Sequence, residues 1–401
     1  MPVSVSKKNI KTYVEEICAR SPRYAGTEGE IKSREYIVSE GEKLGVNVEL
    51  EEFEYMHYLP LSSKLETLAP VEGALDNFPL HYAGSGVAEG EVIYVGYGTR
   101  QGFDFFSKQG IAIKGKIVLA ETIGTSLAYS LAQQHGASGV VILTDAPDNL
   151  CRAGTATMNR EAGQIPAVLV PVSVGRKLLT LMSSGQLKLR ISLNGAFSKK
   201  TSSNIIMTIP GTTIPDEQIV LNAHYDSFNL GKHAADNAAG CAALLELLRI
   251  FSKRKSRRTI KAIMFGVEEI GPFWGSFAYV DRHADELPNI KAVVTFGTLG
   301  NPYDFTFELA TTKEIRAFAL NVVEQLGYEV KYGAEPMPVS DHVPFQVKGA
   351  IPVVWLMGNL GIFYHTAGDN PETLDYDKLK SLLDIEGQIA YELATRKHLP
   401  F

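Results

Sequence analysis

Four short segments of this 401-residue chain carry side chains able to do chemistry: His224-Tyr-Asp226-Ser, Ala234-Ala-Asp236-Asn-Ala-Ala-Gly240, the adjacent acids Glu268-Glu269, and Tyr364-His365-Thr-Ala-Gly-Asp369. Imidazole and carboxylate are the ligands that hold Zn²⁺ while leaving room for a reactive water, and a carboxylate beside a ligand can take that water's proton. The pattern therefore predicts a metal-dependent hydrolase. Zinc follows here from ligand type, and cobalt or manganese suits the same nitrogen and oxygen set. Asp226 lies two residues beyond His224, close enough to accept an imidazole N–H and fix its tautomer. Neighbouring side chains at a strand end diverge, so one of Glu268 and Glu269 can bind metal while the other faces the water as general base. Asp236 opens a helical run, where Asp is also a good N-cap; beside the other three segments it reads as a ligand.

Each of these residues follows an apolar run. His224 ends Ile219-Val-Leu and beyond, the two glutamates follow Ala262-Ile-Met-Phe-Gly-Val, and His365 lies a few residues past Val353-Val-Trp-Leu-Met. Ligands of open α/β sheets bind at that carboxyl edge. From residue 204 onward β-rich runs (218–223, 260–267, 291–296, 351–357) alternate with stretches of helical length and spacing (237–252, 273–284, 312–326, 376–394). Such alternation predicts an α/β fold with a largely parallel sheet sandwiched by helices. Helical spacing at 8–22 and 29–44, then an alternating strand from Gly45, opens the same unit. Residues from about 60 to 200 have a different texture, with short β-like runs, many glycines and one helix at 126–135; they read as a β-rich module ending at a polar junction near 197–204. The expected organisation is a discontinuous catalytic domain, 1–60 and 200–401, with 61–199 inserted.

The net charge is −6, and the one cationic run, Lys253 to Arg258, closes a helix, so no nucleic-acid partner is expected. Three cysteines without metal spacing fit a reducing compartment. Neither an apolar leader nor a span of 18 apolar residues is present, which predicts a cytoplasmic protein with no membrane partner. Oligomeric state is not legible.

The order His-x-Asp, Asp-Asn-x-x-Gly, Glu-Glu and Tyr-His-Thr-Ala-Gly-Asp resembles the zinc exopeptidase family of bacterial leucyl aminopeptidase and glutamate carboxypeptidase, a fold shared with glutaminyl cyclase and the transferrin receptor. Ser21-Pro-Arg-Tyr-Ala-Gly-Thr-Glu-Gly, Gly275-Ser276 and Ser340-Asp341-His342-Val-Pro-Phe345 extend the resemblance over nearly the whole chain. Lys114-Gly-Lys-Ile-Val-Leu, Gly136-Ala-Ser-Gly-Val-Val and Ile165-Pro-Ala-Val resemble a protease-associated domain. The resemblance implies that Asp236 bridges two metals, with Glu269 and His365 on one and His224 on the other. It makes Glu268 the general base and places Asp226 and Asp369 behind the ligands. The chain departs at Gly297, where the family carries a ligating Asp. One tight zinc site and a weak or missing second one are therefore expected, with Asp304 and His233 as substitutes out of register.

Phe273, Trp274, Phe345 and Tyr364 flank the ligands and, with His342, are candidates for a substrate pocket. Ser340-Asp341-His342 holds three triad residue types, but consecutive residues do not converge as nucleophile, base and orienter. The resulting expectation is a metallo-exopeptidase acting on peptides, an aminopeptidase in preference to a carboxypeptidase. The alternatives are a degenerate member used for binding and a single-zinc acyltransferase resembling glutaminyl cyclase. The insert is expected to restrict access without supplying ligands, so that its deletion leaves metal binding intact.

Overall fold

A computed structural model describes residues 2–147, 150–271, 273–302, 307–333, 335–357 and 360–401. Its strands in chain order are β1 (Asn47–Ala69), β2 (Gly73–Leu75), β3 (Phe78–Pro79), β4 (Gly86–Tyr94), β5 (Ile117–Glu121), β6 (Gly139–Leu143), β7 (Ala167–Val170), β8 (Lys188–Ile209), β9 (Ile214–His224), β10 (Arg258–Phe265), β11 (Ile290–Thr295), β12 (Glu308–Thr311), β13 (Lys331–Tyr332) and β14 (Val353–Met357). Outside the insert the sheet is ordered β13-β12-β14-β11-β9-β10-β8. Its centre, β14-β11-β9-β10, is parallel, while β12 and β8 join antiparallel at either side, so the sheet is mixed. The central strands are buried and rich in Ile, Val and Ala, as strands covered on both faces must be.

The helix Ala239–Phe251 covers the centre of the sheet. Every one of its residues except Arg249 is buried, and apart from Glu246 and Arg249, which pair with each other, all are apolar or glycine, as suits a helix inside a protein. It packs with Ile219 and Leu221 of β9, with Ile10 and Val14 of the first helix (Lys7–Cys18), and with Leu382 and Ile389 of the last (Tyr376–Thr395) in one continuous core.

Two long antiparallel strands, β1 and β8, run from this sheet into the insert, paired from Asn47↔Thr208 to Ala69↔Lys188. The polar stretch expected as an exposed junction is thus strand, and its end is buried. Ser202 and Asn204 find partners in Glu30 and the Gly275 carbonyl, which satisfies them inside the protein. The insert itself is a parallel β4-β5-β6-β7 sheet with three helices, Arg100–Lys108, Thr125–Gln134 and Val172–Ser184. Only the second of these was expected, so "β-rich" understates its α/β character. Val172-Ser-Val opens the third helix with β-branched residues, which favour strand when read locally.

Candidate active site

Chain connections leave β9 toward β10 on one side and reach β11 on the other, which opens a crevice at the carboxyl ends of these strands. His224 is the last residue of β9, and Glu268 lies three residues past the end of β10. Asp236 sits in the single turn Ala234–Ala238 that leads into the central helix. The ligand candidates meet there. His224 Nε2 is 3.1 Å from Asp236 Oδ1, and His365 Nε2 is 3.1 Å from both Asp236 Oδ2 and Glu269 Oε2. Asp236 therefore stands between two imidazoles and gives one oxygen to each. Ligand atoms of His224, Asp236 and Glu269 lie within 4.8 Å of one another, and Glu269 Oε1 is buried without a partner. Two carboxylates converging on nitrogen ligands, with a spare buried oxygen, fit a divalent cation.

Two further buried carboxylates hold the turns that carry these residues. Asp226 accepts the backbone N–H groups of Glu268 and Glu269 at 3.0 and 3.2 Å, and Asp369 accepts those of Ala235 and Asp236 at 2.8 and 3.2 Å. The expected bond from His224 to Asp226 is replaced: Nδ1 faces the Asp226 backbone carbonyl at 3.3 Å and its carboxylate only at 3.7 Å. Register explains this. His224 of β9 pairs with Phe265 of β10, so residue 226 arrives opposite the 267–269 turn and its carboxylate is taken by the turn's N–H groups.

Electrostatics follow from the crowding of buried acids. Burial opposes charge on His365, yet Glu269 and Asp236 outweigh it and push its pKa up to about 9. Burial likewise opposes charge on His224, and the facing Glu268, Asp226 and Asp236 raise it well above the ordinary range. Despite its burial, Asp236 is held far below the carboxylate range by hydrogen bonds from both histidines. Glu268 goes the other way: burial, then the charges of Asp341 and Glu269 set against the opposing His224, lifts it well above an ordinary carboxyl. A group of that kind favours taking up a proton, which is what a general base must do.

These residues open into a cavity of ≈ 400 Å³. Of the aromatic and histidine candidates, Phe273 and Tyr364 line it, and Trp274, His342 and Phe345 do not. Phe345 is fully buried against Phe265 and Tyr279, because the helix Val343–Gly349 turns it into the core. His342 is buried as well and faces the Met337 carbonyl at 3.0 Å. Trp274 packs under the Arg160 guanidinium at 4.4 Å. Trp355, unforeseen, lines the cavity beside Gly297. A Cβ built on Gly297 would meet its indole at 3.7 Å, and Gly297 is not among the glycines with positive φ. His233 is buried with both ring nitrogens unpartnered, outside both the cavity lining and the ligand cluster; Asp304 lies outside the described residues.

The insert also reaches the cavity, through Gly124, Thr125 and Arg152 to Thr155. Among the described residues it contributes no ligand to the cluster. Arg152 and Ala153 nevertheless touch the backbone of the loop carrying His365, a contact across more than 200 residues that no local pattern announces.

Residues 204–390 match Peptidase family M28, and residues 82–178 match the PA domain. The chain is thus similar to M28 peptidases over one stretch and to PA domains over another, within one mixed α/β fold. Aminopeptidase YwaD of Bacillus subtilis (strain 168) is 28% identical over 407 residues, covering 95% of this chain and 83% of that protein. The probable glutamate carboxypeptidase AMP1 of Arabidopsis thaliana is 23% identical, over 71% of this chain and 50% of its own length. Among solved structures, BSAP, a zinc aminopeptidase from Bacillus subtilis, superposes with a TM-score of 0.80 at 22% identity, covering 100% of this chain and 98% of that one. The aminopeptidase from Aneurinibacillus sp. strain AM-1 gives 0.77 at 24% identity, with 99% and 96% covered.

Proposed function

We propose that this protein is a metal-dependent aminopeptidase that uses Glu268 as general base and His224, Asp236, Glu269 and His365 as ligands of zinc. The observation that carries this reading is the convergence of His365 Nε2 on Asp236 and Glu269, both at 3.1 Å, with His224 at the same distance from the other Asp236 oxygen. When bound there, a divalent ion supplies Lewis acidity to a carbonyl and makes water a better nucleophile. Glu268 lines the same cavity, and its ionised form is the one that acts. It takes a proton from the attacking water and delivers it to the leaving amine. Asp226 and Asp369 keep the ligand turns in place through paired backbone N–H bonds.

Several features support an aminopeptidase over a carboxypeptidase. Arg152 is the one Lys or Arg among the described residues that line the cavity, and its donors already face Asp145 and two backbone carbonyls. That leaves no spare cation for a substrate carboxylate. Apolar side chains, among them Met158, Phe273, Met337, Val339 and Leu360, make up much of the rest, which suits an uncharged side chain beside the scissile bond. Gly297 supports one tight site and a weak or absent second one, since it withholds a terminal carboxylate. Among the described residues no helix is long and apolar enough to cross a membrane. Three buried free cysteines support a reducing, cytoplasmic setting.

Metal analysis of protein purified without added metal, with assays on aminoacyl, dipeptide and N-terminal glutaminyl substrates, tests the reading. Turnover of leucyl substrates by a zinc-loaded protein is the expected result. Cyclisation of glutaminyl substrates alone, or metal binding without turnover, would overturn it.

A further inference from the structure

We propose that Arg152 of the insert is a positioning residue for His365, so that the insert sets how tightly the site holds its metal; this rests on His365 being a ligand. The side chain of Arg152 is 8% exposed, and each of its three guanidinium nitrogens faces an acceptor. Nε donates to Asp145 Oδ1 at 2.8 Å, Nη1 donates to the Tyr364 carbonyl, and Nη2 reaches the Ile362 carbonyl at 3.5 Å. Next to it, Ala153 N–H donates to the carbonyl of His365 itself at 2.8 Å. The insert therefore grips three backbone carbonyls over the four residues 362–365.

That grip matters because of where His365 sits. Its φ is +56°, a left-handed conformation that persists only when the surroundings over-determine it. The Tyr364 ring stacks on the His365 imidazole at 3.6 Å and 24°, with the Arg152 guanidinium 5.6 Å from the tyrosine ring centre. Guanidinium, phenol and imidazole form one pile whose last member points Nε2 at Asp236 and Glu269. Without Arg152 the Tyr364 and Ile362 carbonyls lose their donor, the turn gains freedom, and the imidazole must be ordered when metal binds. Groups that orient a ligand from outside the coordination sphere change metal affinity by about 10- to 100-fold.

Zinc affinity of the whole protein, read by competition with a chromogenic chelator, tests this for Arg152→Ala, Arg152→Lys and a control, Arg258→Ala. Arg258 is as buried as Arg152 and likewise bonds a carboxylate and two backbone carbonyls, but far from the site, at Glu217, Leu393 and Arg396. We expect Arg152→Ala to weaken zinc binding by about 10- to 100-fold, Arg152→Lys to fall between it and the unmodified protein, and Arg258→Ala to lower thermal stability without moving zinc affinity. Recovery of kcat by Arg152→Ala at saturating zinc would support positioning over a role in the chemical step. Unchanged zinc affinity in Arg152→Ala, or in Arg152→Lys should the alanine variant not fold, would overturn the proposal, as would an equal loss in Arg258→Ala. Zinc binding without peptide turnover in the unmodified protein would refute the proposed function and leave this inference standing.

Discussion

Gly297→Asp is the sharpest test of how many metals the site holds. The backbone permits it: Gly297 is not among the positive-φ residues, and a new Cβ meets Trp355 at 3.7 and 3.8 Å and Asn237 Nδ2 at 4.0 Å, ordinary contact distances. The new carboxylate would join His224 and Asp236 in the wall of one cavity. At an effective dielectric of about 20, a carboxylate about 4 Å from a divalent ion gains on the order of 8 kcal/mol. Desolvating that carboxylate returns several kcal/mol, leaving a net gain of roughly 3 kcal/mol, or ~100-fold in affinity for a second ion. Metal content by elemental analysis after dialysis should rise from about one toward about two per chain, while Gly297→Asn, isosteric but uncharged, should not change it. Two tightly held ions in the unmodified protein would refute the reasoning. So would a folded Gly297→Asp with one ion, which would mean that the new carboxylate is captured by the Trp355 and Asn237 donors beside it.

The other variants separate the roles of neighbouring residues. Glu268→Gln should keep its zinc and lose about 10²- to 10⁴-fold in kcat; parallel loss of metal would show that the two glutamates have exchanged roles. Asp226→Ala leaves two buried N–H groups without an acceptor and should cost about 2–4 kcal/mol in denaturant unfolding, and it should lower metal affinity and kcat together, because its turn carries both Glu268 and Glu269. Without metal, the His365 proton is retained up to about pH 9 by its carboxylate neighbours. A zinc ion must displace it, so zinc affinity should fall as pH falls below that value, by up to about tenfold per unit for each proton released; chelator competition across the neutral range checks this, and a flat profile would refute it.

The strands that lead to the candidate ligands are legible because burial on both faces writes itself as unbroken apolar runs, with a His or an acid at the end of each run or within a few residues beyond it. The pocket was less so. His342 and Phe345 stand in a segment that borders the site, but one short helix, Val343–Gly349, turns Phe345 into the core. Aromatic identity fails to distinguish a wall from a filling. Arg152 and Trp355 were missed for the opposite reason: each acts on a residue far along the chain, Arg152 on Tyr364 and Trp355 on Gly297, and periodicity sees only near neighbours. Spacing alone pairs the Asp226 carboxylate with the nearest imidazole, whereas strand pairing delivers it to a turn 42 residues later.

Strain is concentrated where the ligands are. Of the non-glycine residues with positive φ, His233, Val267, Phe273, Thr298 and His365 all lie in turns around the cavity or its ligands. Val267 is the most costly of these, since a β-branched side chain at φ 60° is strongly disfavoured, and it immediately precedes Glu268. A short polar-free loop would relax such a residue; this one is held because Asp226 ties the next two N–H groups and Trp274 N–H bonds the Val267 carbonyl at 3.2 Å. Asp369 does the same for Ala235 and Asp236, and Arg152 with Ala153 for the His365 turn. Each ligand turn thus has its own clamp, two from carboxylates in the catalytic domain and one from the insert. On the proposed ligand set, these clamps would fix ligand geometry before any ion arrives and lower the ordering cost of binding, and an insert that supplies one of the three would contribute to the metal site's stability as well as its wall.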